Sequence, residues 1–332
     1  MTQAKRKRRT ASAKGGSSSL PWTQIVIAFI VAIVSGWGYS VWNNGSDQST
    51  EQPSSSESVP PSTTPKPKSN PASSTANSSY EFYKMISWNL YNFSTSKSEK
   101  AMQQIVQILQ DYDLVALKEI TTSGAGAQGV ADLALRLNEM GSKWDYAISD
   151  PTTGDGSERY AFLWKTKHIS RLGRAFLSNA KGLANTLDRE PYIGKFAVGS
   201  QVVTIANFHA IPATKQPQQE VIQLPNLHDA YGNVGALIIA GDFNLSEKHL
   251  AFTALKSMGY EAVLHNQKTS IKLVNLEGEY LSQEYDNIFY ETSDFKLLQS
   301  GVVDFVKNRS DLSAVRELSD HLPVWAKFGV IP

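Results

Sequence analysis

The sequence predicts a mixed α/β or α+β domain with long sheets, preceded by an N-terminal quarter of a different kind. Three observations carry this. Short apolar runs bounded by polar residues recur from position 80 onward, two stretches repeat apolar residues at i, i+3, i+4 and i+7, and positions 1–79 show neither globular pattern. Strand-like and helix-like segments that alternate along a chain build layers of sheet and helix.

The first strand covers 82–88 and ends at Asn89. Met102, Ile105, Val106 and Leu109 fall on one face of an amphipathic helix. Residues 114–117 form a short buried strand ending near Glu119. Val130, Leu133, Ala134 and Leu137 repeat the helical spacing, and Gly141 supplies its C-terminal stop. Further strands are read at 160–164, 202–208, 237–240, 288–290 and 322–328, with helical patterns filling several of the gaps. Residues 80–332 suffice for one large domain with a full core.

The N-terminal part divides in three. Residues 1–19 are basic and Ser/Gly-rich. Residues 20–42 carry no charge and include an unbroken apolar run at 25–34. As a helix this segment would reach about 34 Å, enough for a hydrocarbon core of about 30 Å. Trp22 stands at one end and Trp37, Tyr39 and Trp42 at the other, as at membrane interfaces. The expectation is an uncleaved single-pass anchor with the N-terminus cytoplasmic and the domain extracytoplasmic. A signal peptide, giving a secreted protein, is the alternative, but no A-x-A-like cleavage site follows. The basic cluster is read as the cationic flank of the span rather than a nuclear or nucleic-acid tail. Residues 43–79, rich in Ser, Thr, Pro and Asn, are expected to be a disordered linker.

The chain has no cysteine, which excludes disulfides, thiolate chemistry and Cys-ligated zinc. Its formal charge of +1 hides an asymmetry. Residues 1–79 hold eight basic and three acidic residues; taking these from 32 and 31 leaves 24 basic and 28 acidic, a net of −4 for the domain. Phosphate neutralisation by a broadly basic surface is therefore not how this domain would grip a nucleic acid.

Polar residues gather where the apolar runs end. Asn89 follows one in "ISWNLYNF", Glu119 one in "LVALKEI", Asn207 and His209 one in "VTIANFHAIP", and Asp242 and Asn244 one in "LIIAGDFNLS". Glu158 precedes a run in "SERYAFLWK", Asp286 in "EYDNIFY", and Asp320 with His321 in "LSDHLPVWAKF". Strand ends of layered folds converge on one rim, so these groups can share a cleft. Their oxygens are hard ligands suited to magnesium or calcium. The two histidines, each with a candidate carboxylate partner, suit acid/base work. With no activated Ser, Cys or Lys evident, attack by water on phosphorus is favoured over covalent catalysis.

The ordered set "SWN", "ALKE", "NFHA", "GDFN", "YDN" and "SDHLPV" resembles the successive motifs of the endonuclease/exonuclease/phosphatase superfamily over residues 83–328. "ERYAFLW" from Glu158, "DREPYIGKF" from Asp188 and "VDFV" at 303–306 resemble its deoxyribonuclease I-like branch. The resemblance implies a four-layer sandwich of two packed mixed sheets flanked by helices. It implies that Asn89 and Glu119 hold a divalent metal, with Asp320 in support. His209 with Glu158, and His321 with Asp286, would form the acid/base apparatus, with the acid and the base left unassigned. Asp242 and Asn244 would orient phosphate or water, and Asn207 and Arg189 would meet the substrate, Arg189 at a non-bridging phosphate oxygen. Magnesium is the expected metal, with manganese or calcium as alternatives.

Some positions depart from that branch. Its DNA-contacting Arg two places after the metal-binding Glu is Thr121 here, its Tyr two before the Glu of ERY is Gly156, and its Arg after the YD pair is Asn287. The expected activity is an endonuclease cutting DNA, or RNA. A phosphoesterase acting on lipid head groups or small phosphoesters is the alternative, and an inactive binding scaffold a third reading. No protein partner is evident.

Overall fold

The computed structural model describes residues 82–183, 186–233, 235–276, 278–309 and 311–331. The expected tail at 1–19, anchor at 20–42 and linker at 43–79 lie outside the described residues. Among the described residues no helix is long and apolar enough to cross a membrane.

The strands, in chain order, are β1 (Phe82–Phe93), β2 (Leu114–Ile120), β3 (Trp144–Ile148), β4 (Arg159–Lys165), β5 (Ile169–Arg171), β6 (Phe176–Leu177), β7 (Tyr192–Val198), β8 (Gln201–His209), β9 (Ala236–Asp242), β10 (Tyr260–Ala262), β11 (Ile271–Leu276), β12 (Glu279–Leu281), β13 (Asp286–Glu291), β14 (Phe295–Val302) and β15 (Val324–Val330). One sheet runs β14-β15-β1-β2-β4-β3 and a second runs β10-β13-β9-β8-β7-β5, with β6 beside β7. Both are mixed: β1 and β2 are parallel, as are β8 and β9, and the other pairs within them are antiparallel. A small hairpin of β11 and β12 stands apart.

Why the sheets stack is visible in their alternation. Met85, Leu114, Tyr160 and Phe162 from the first sheet meet Tyr192, Phe196, Val203, Ile205, Ile238 and Ile288 from the second in one buried layer. The reverse face of the first sheet is covered by α1 (Glu99–Leu109) and α2 (Gly124–Glu139). The apolar face predicted for α1 is the buried one, and Ser98 caps it by accepting from the Ala101 N–H. Gly141, just past α2, takes φ 96° as a helix stop requires. The reverse face of the second sheet is packed by short helical turns such as Gln218–Val221 and Thr253–Ser257. The expected sandwich of two mixed sheets between helical layers is therefore present, but beyond α1 and α2 the helical patterns resolve into segments of five residues or fewer.

Candidate active site

Asn89 and Glu119 sit at the same end of parallel neighbours, and both strands bulge there. The β1–β2 register shifts between Asn89 and Phe93, and the β2–β4 register between Leu117 and Ile120. Glu119 takes φ 58°, a left-handed conformation that costs a non-glycine residue about 1–3 kcal/mol. Bulges re-aim side chains beside active sites, and here Asn89 Nδ2 donates to Glu119 Oε1 at 2.8 Å and to Asp242 Oδ2 at 3.1 Å. Burial raises the Glu119 carboxyl above its ordinary pKa despite the opposing pull of His209 and Asn89.

His209 ends β8 and Glu158 immediately precedes β4, on the other sheet. His209 Nδ1 donates to Glu158 Oε2 at 2.8 Å, and its Nε2 lies 3.5 Å from Asp242 Oδ2. Burial pulls its pKa down, but Glu158 and Asp242 outweigh burial and raise it. Glu158 Oε1 accepts the Glu119 N–H at 3.1 Å, so one carboxylate orients a histidine and braces the neighbouring bulge.

His321 leads into β15 and repeats the arrangement. Its Nδ1 donates to Asp286 Oδ2 at 2.6 Å and lies 3.7 Å from Asp242 Oδ2. Burial again pulls down, and Asp286 followed by Asp242 lifts the pKa to about 10. One Asp242 oxygen thus stands between two imidazoles, and they hold its pKa below the ordinary value although burial works the other way.

A model of the Endonuclease/Exonuclease/phosphatase family matches residues 86–321, more than half of the chain. The chain belongs to this family. An endonuclease/exonuclease/phosphatase family domain-containing protein 1 from Xenopus laevis is 24% identical over 286 residues, covering 74% of this chain and 49% of that protein. The chain spans about half the length of this curated relative. Among solved structures, D. rerio TDP2 complexed with single strand DNA product has a TM-score of 0.55 at 17% identity, over 75% of this chain and 99% of that one. A mannosyl-6-phosphatase from Bacteroides thetaiotaomicron has a TM-score of 0.54 at 18% identity, over 75% and 100%. At these identities the two structures show the shared fold.

Within this family member, the polar residues expected at strand ends are brought to one rim, with two qualifications. Asn207 is fully buried between the sheets, where its Nδ2 donates to Leu117 O at 2.8 Å. Arg189 is 8% exposed and lies behind Glu158: Nε is 3.2 Å from Glu158 Oε2 and donates to Gly156 O, while Nη1 donates to Ala210 O. The bonds of both are to protein groups. Asn244, at φ 49°, donates from Nδ2 to Ala210 O and from its N–H to Asp242 Oδ1.

Two oxygen-rich groups could take a cation. Asp242, Asp286 and His321 offer ligand atoms within 4.8 Å of one another, but the His321 proton already occupies Asp286 Oδ2. Asn89, Glu119 and Asp320, the oxygens expected to hold a hard cation, are the second set. Asp320 Oδ1 is buried without a hydrogen-bond partner and its Oδ2 accepts from Arg316; Glu119 is a half-buried carboxylate of raised pKa whose Oε1 accepts from Asn89 Nδ2, and Asn89 Oδ1 accepts the Tyr91 N–H.

Four supporting residues escaped sequence reasoning. Ser319 Oγ donates to Asn89 O at 2.6 Å and accepts the His321 N–H. Thr269 Oγ1 donates to Asp286 Oδ2 at 2.7 Å and accepts the Asp286 N–H. Trp88 Nε1 donates to His321 O at 2.8 Å. Glu220, buried, accepts the N–H groups of Asp188 and Ile211 at 2.7 Å each, tying the Arg189 segment to the loop after His209. Ser319 and Trp88 stand inside "SDHLPV" and "SWN" without a role that the pattern assigns, and Thr269 and Glu220 carry no motif that would announce them.

Proposed function

We propose that the domain is a metal-dependent phosphodiesterase that hydrolyses nucleic acid, DNA before RNA, by water attack on phosphorus. The observation that carries this is the pair of histidines, each bonded at Nδ1 to a buried carboxylate and flanking Asp242. Glu158 and Asp286 fix the tautomers, so the Nε2 atoms are the ones left for proton exchange with water and leaving group. Protonated, the same imidazoles stabilise charge that builds on phosphate oxygens. Asp242 and Asn244 orient the phosphate or water. Asn89, Glu119 and Asp320 would hold magnesium, or manganese or calcium, which when bound supplies Lewis-acid stabilisation of the phosphoryl oxygens. Arg189 acts through Glu158.

The proposal keeps the domain outside the cell on an N-terminal anchor. A second reading, a phosphatase of small phosphoesters, is favoured by one observation. Asn287, where the deoxyribonuclease I-like branch has Arg, is buried and bonded to Leu264.

The test is plasmid nicking by residues 80–332 with magnesium, with magnesium plus calcium, and with chelator, beside His209→Ala and His321→Ala. Metal-dependent nicking lost in both variants is expected. A folded domain that nicks nothing in any metal sinks the DNA reading, and RNA, phospholipids and small phosphodiesters then become the substrates to try.

A further inference from the structure

At the end of β1 the chain turns an aromatic ring outward. Tyr91 and Asn92 follow Asn89 with φ 46° and 53°, two left-handed residues in succession. The backbone there serves the site: the Tyr91 N–H donates to Asn89 Oδ1 at 3.0 Å and the Asn92 N–H to Glu119 Oε2 at 3.3 Å. Glycine at 91 would make the same bond without strain, whereas a tyrosine in this conformation is strained. The ring takes no part in that bond, and Tyr91 is 39% exposed.

The ring forms one wall of a pocket of about 430 Å³, with Asn92, Lys97, Arg316 and Glu317 among the other walls. That volume lies in the range of small-molecule sites, about 300–1,000 Å³. The pocket adjoins the residues expected to hold the cation. Asn92 is bonded to Glu119, and Arg316 Nη2 donates to Asp320 Oδ2 at 3.1 Å. Lys97 fixes the backbone that carries the ring. Its ammonium donates to Tyr91 O at 2.9 Å, Glu317 O at 3.0 Å and Leu318 O at 3.1 Å, joining β1 to the segment that leads to Asp320. The Lys97 ammonium and the Arg316 guanidinium each lie 5.8 Å from the centre of the ring.

Charge decides what such a pocket takes. Lys97 and Arg316 bring two positive charges, and Glu317 and Asp320 bring two negative ones. Lys97 spends its three donors on carbonyls. A phosphate would therefore meet no net attraction and a carboxylate wall. A flat neutral heterocycle suits an aromatic ring with cations beside it. In a duplex the faces of a base are covered by its neighbours, so only an unpaired base can enter.

We propose that this pocket binds an unpaired nucleobase, that of a nucleotide next to the scissile phosphate, with Tyr91 as the stacking residue. The inference rests on the nucleic-acid reading of the rim and narrows it to single strands or frayed ends.

The experiment compares the full chain with Tyr91→Gly, which removes the ring and relaxes the backbone. Binding of a fluorescein-labelled single-stranded DNA hexamer is read by anisotropy in chelator, so that no strand is cut. An abasic residue is then walked through the hexamer one position at a time. With the wild type, loss of one particular base should weaken binding roughly 5–150-fold, the worth of one stacked base. Tyr91→Gly should bind the intact hexamer more weakly by a similar factor and lose its sensitivity to that position, while Tyr91→Trp should keep both. Equal binding of every abasic hexamer by the wild type overturns the proposal, as does a penalty that persists in Tyr91→Gly. A duplex of the same sequence held as tightly as the single strand overturns it too. Should Tyr91→Gly fail to fold, Tyr91→Leu keeps bulk without a flat face, and an undiminished penalty there overturns the proposal equally. If the wild type shows the abasic pattern but cuts no phosphodiester with magnesium, the proposed function falls and the pocket stands. If it cuts DNA without the pattern, the pocket falls alone.

Discussion

Replacing Glu158 by Gln keeps the side chain's size and removes its charge at the point where three groups meet. In the wild type one oxygen takes the Glu119 N–H and the other takes His209 Nδ1 at 2.8 Å, with Arg189 Nε at 3.2 Å. Arg189 and Glu158 are both nearly buried, so the variant strands a guanidinium in a poorly solvated place. Removing one partner of a buried pair costs about 3–5 kcal/mol. The Gln carbonyl still accepts one bond, so the lower end, ~3 kcal/mol, is expected. In a domain of this size that is a fall in Tm of roughly 6–12 °C. Turnover should fall by about 10²–10⁴, because His209 loses the carboxylate that fixes its tautomer. His209 also gives the effect a pH signature. Its folded pKa is raised by Glu158, so its share of stability is complete below the unfolded pKa of about 6.5 and is lost as pH rises through the higher folded value. The gap in Tm between wild type and variant should be widest near pH 6 and narrow, without closing, on the alkaline side. Thermal melts from pH 5 to 9 and steady-state hydrolysis measure both. A double variant, Glu158→Gln with Arg189→Met, should recover about 1–3 kcal/mol of the summed single losses. A Glu158→Gln protein that melts within ~1 °C of the wild type and turns over at the same rate would refute this account of the site.

Three further outcomes are expected. Asp286→Asn removes the largest influence raising His321, so its imidazole should titrate well below about 10 in metal-free protein; an NMR titration that leaves it there would contradict the assigned pair. Magnesium at about 100 times its Kd should stabilise the domain by ~2.7 kcal/mol, a gain lost in Glu119→Gln and in Asp320→Asn; if it persists in both, the ion sits elsewhere. Asn207→Ala should cost ~1–3 kcal/mol by leaving Leu117 O unpaired between the sheets, with KM unchanged; a raised KM without a loss of Tm would return Asn207 to the substrate.

The central elements were legible because they are buried on both faces. Residues 114–117, 160–164, 202–208 and 237–240 read as apolar runs, and β2, β4, β8 and β9 occupy the middle of the two sheets. The edge strands do not show in the sequence pattern. β3, β10 and β14 are edge strands, and β14 alternates poorly because most of it is exposed or half-exposed. β7 was quoted as a motif and missed as a strand: Gly194 and Lys195 interrupt its apolar run, yet a Cβ at Gly194 would lie 2.7 Å from Phe162 and Phe196, so packing excludes a larger residue there. The strand read as ending at Asn89 continues to Phe93, because a bulge hides in "NLYN" and local pattern does not show bulges. In the site, polar residues after apolar runs were visible one by one. The partners that fix them, Ser319 on Asn89 and Thr269 on Asp286, depend on contacts between segments far apart in the chain.

Three pairings at the rim cross from one sheet to the other. His209, on the second sheet, is held by Glu158 at the head of β4 in the first. His321, leading into β15 of the first, is held by Asp286 on β13 of the second. Asn89 on β1 reaches Asp242 on β9. None of these bonds can form within a single sheet, so the site exists only when the two sheets are stacked in register. A shift of one sheet over the other by one strand position moves these side chains by about 3.3 Å, which would break all three pairings together. The rim therefore contributes to holding the sheets in register and depends on that register, and substitutions in the apolar layer below it, at Tyr160 or Ile288 for example, should lower turnover before they unfold the domain.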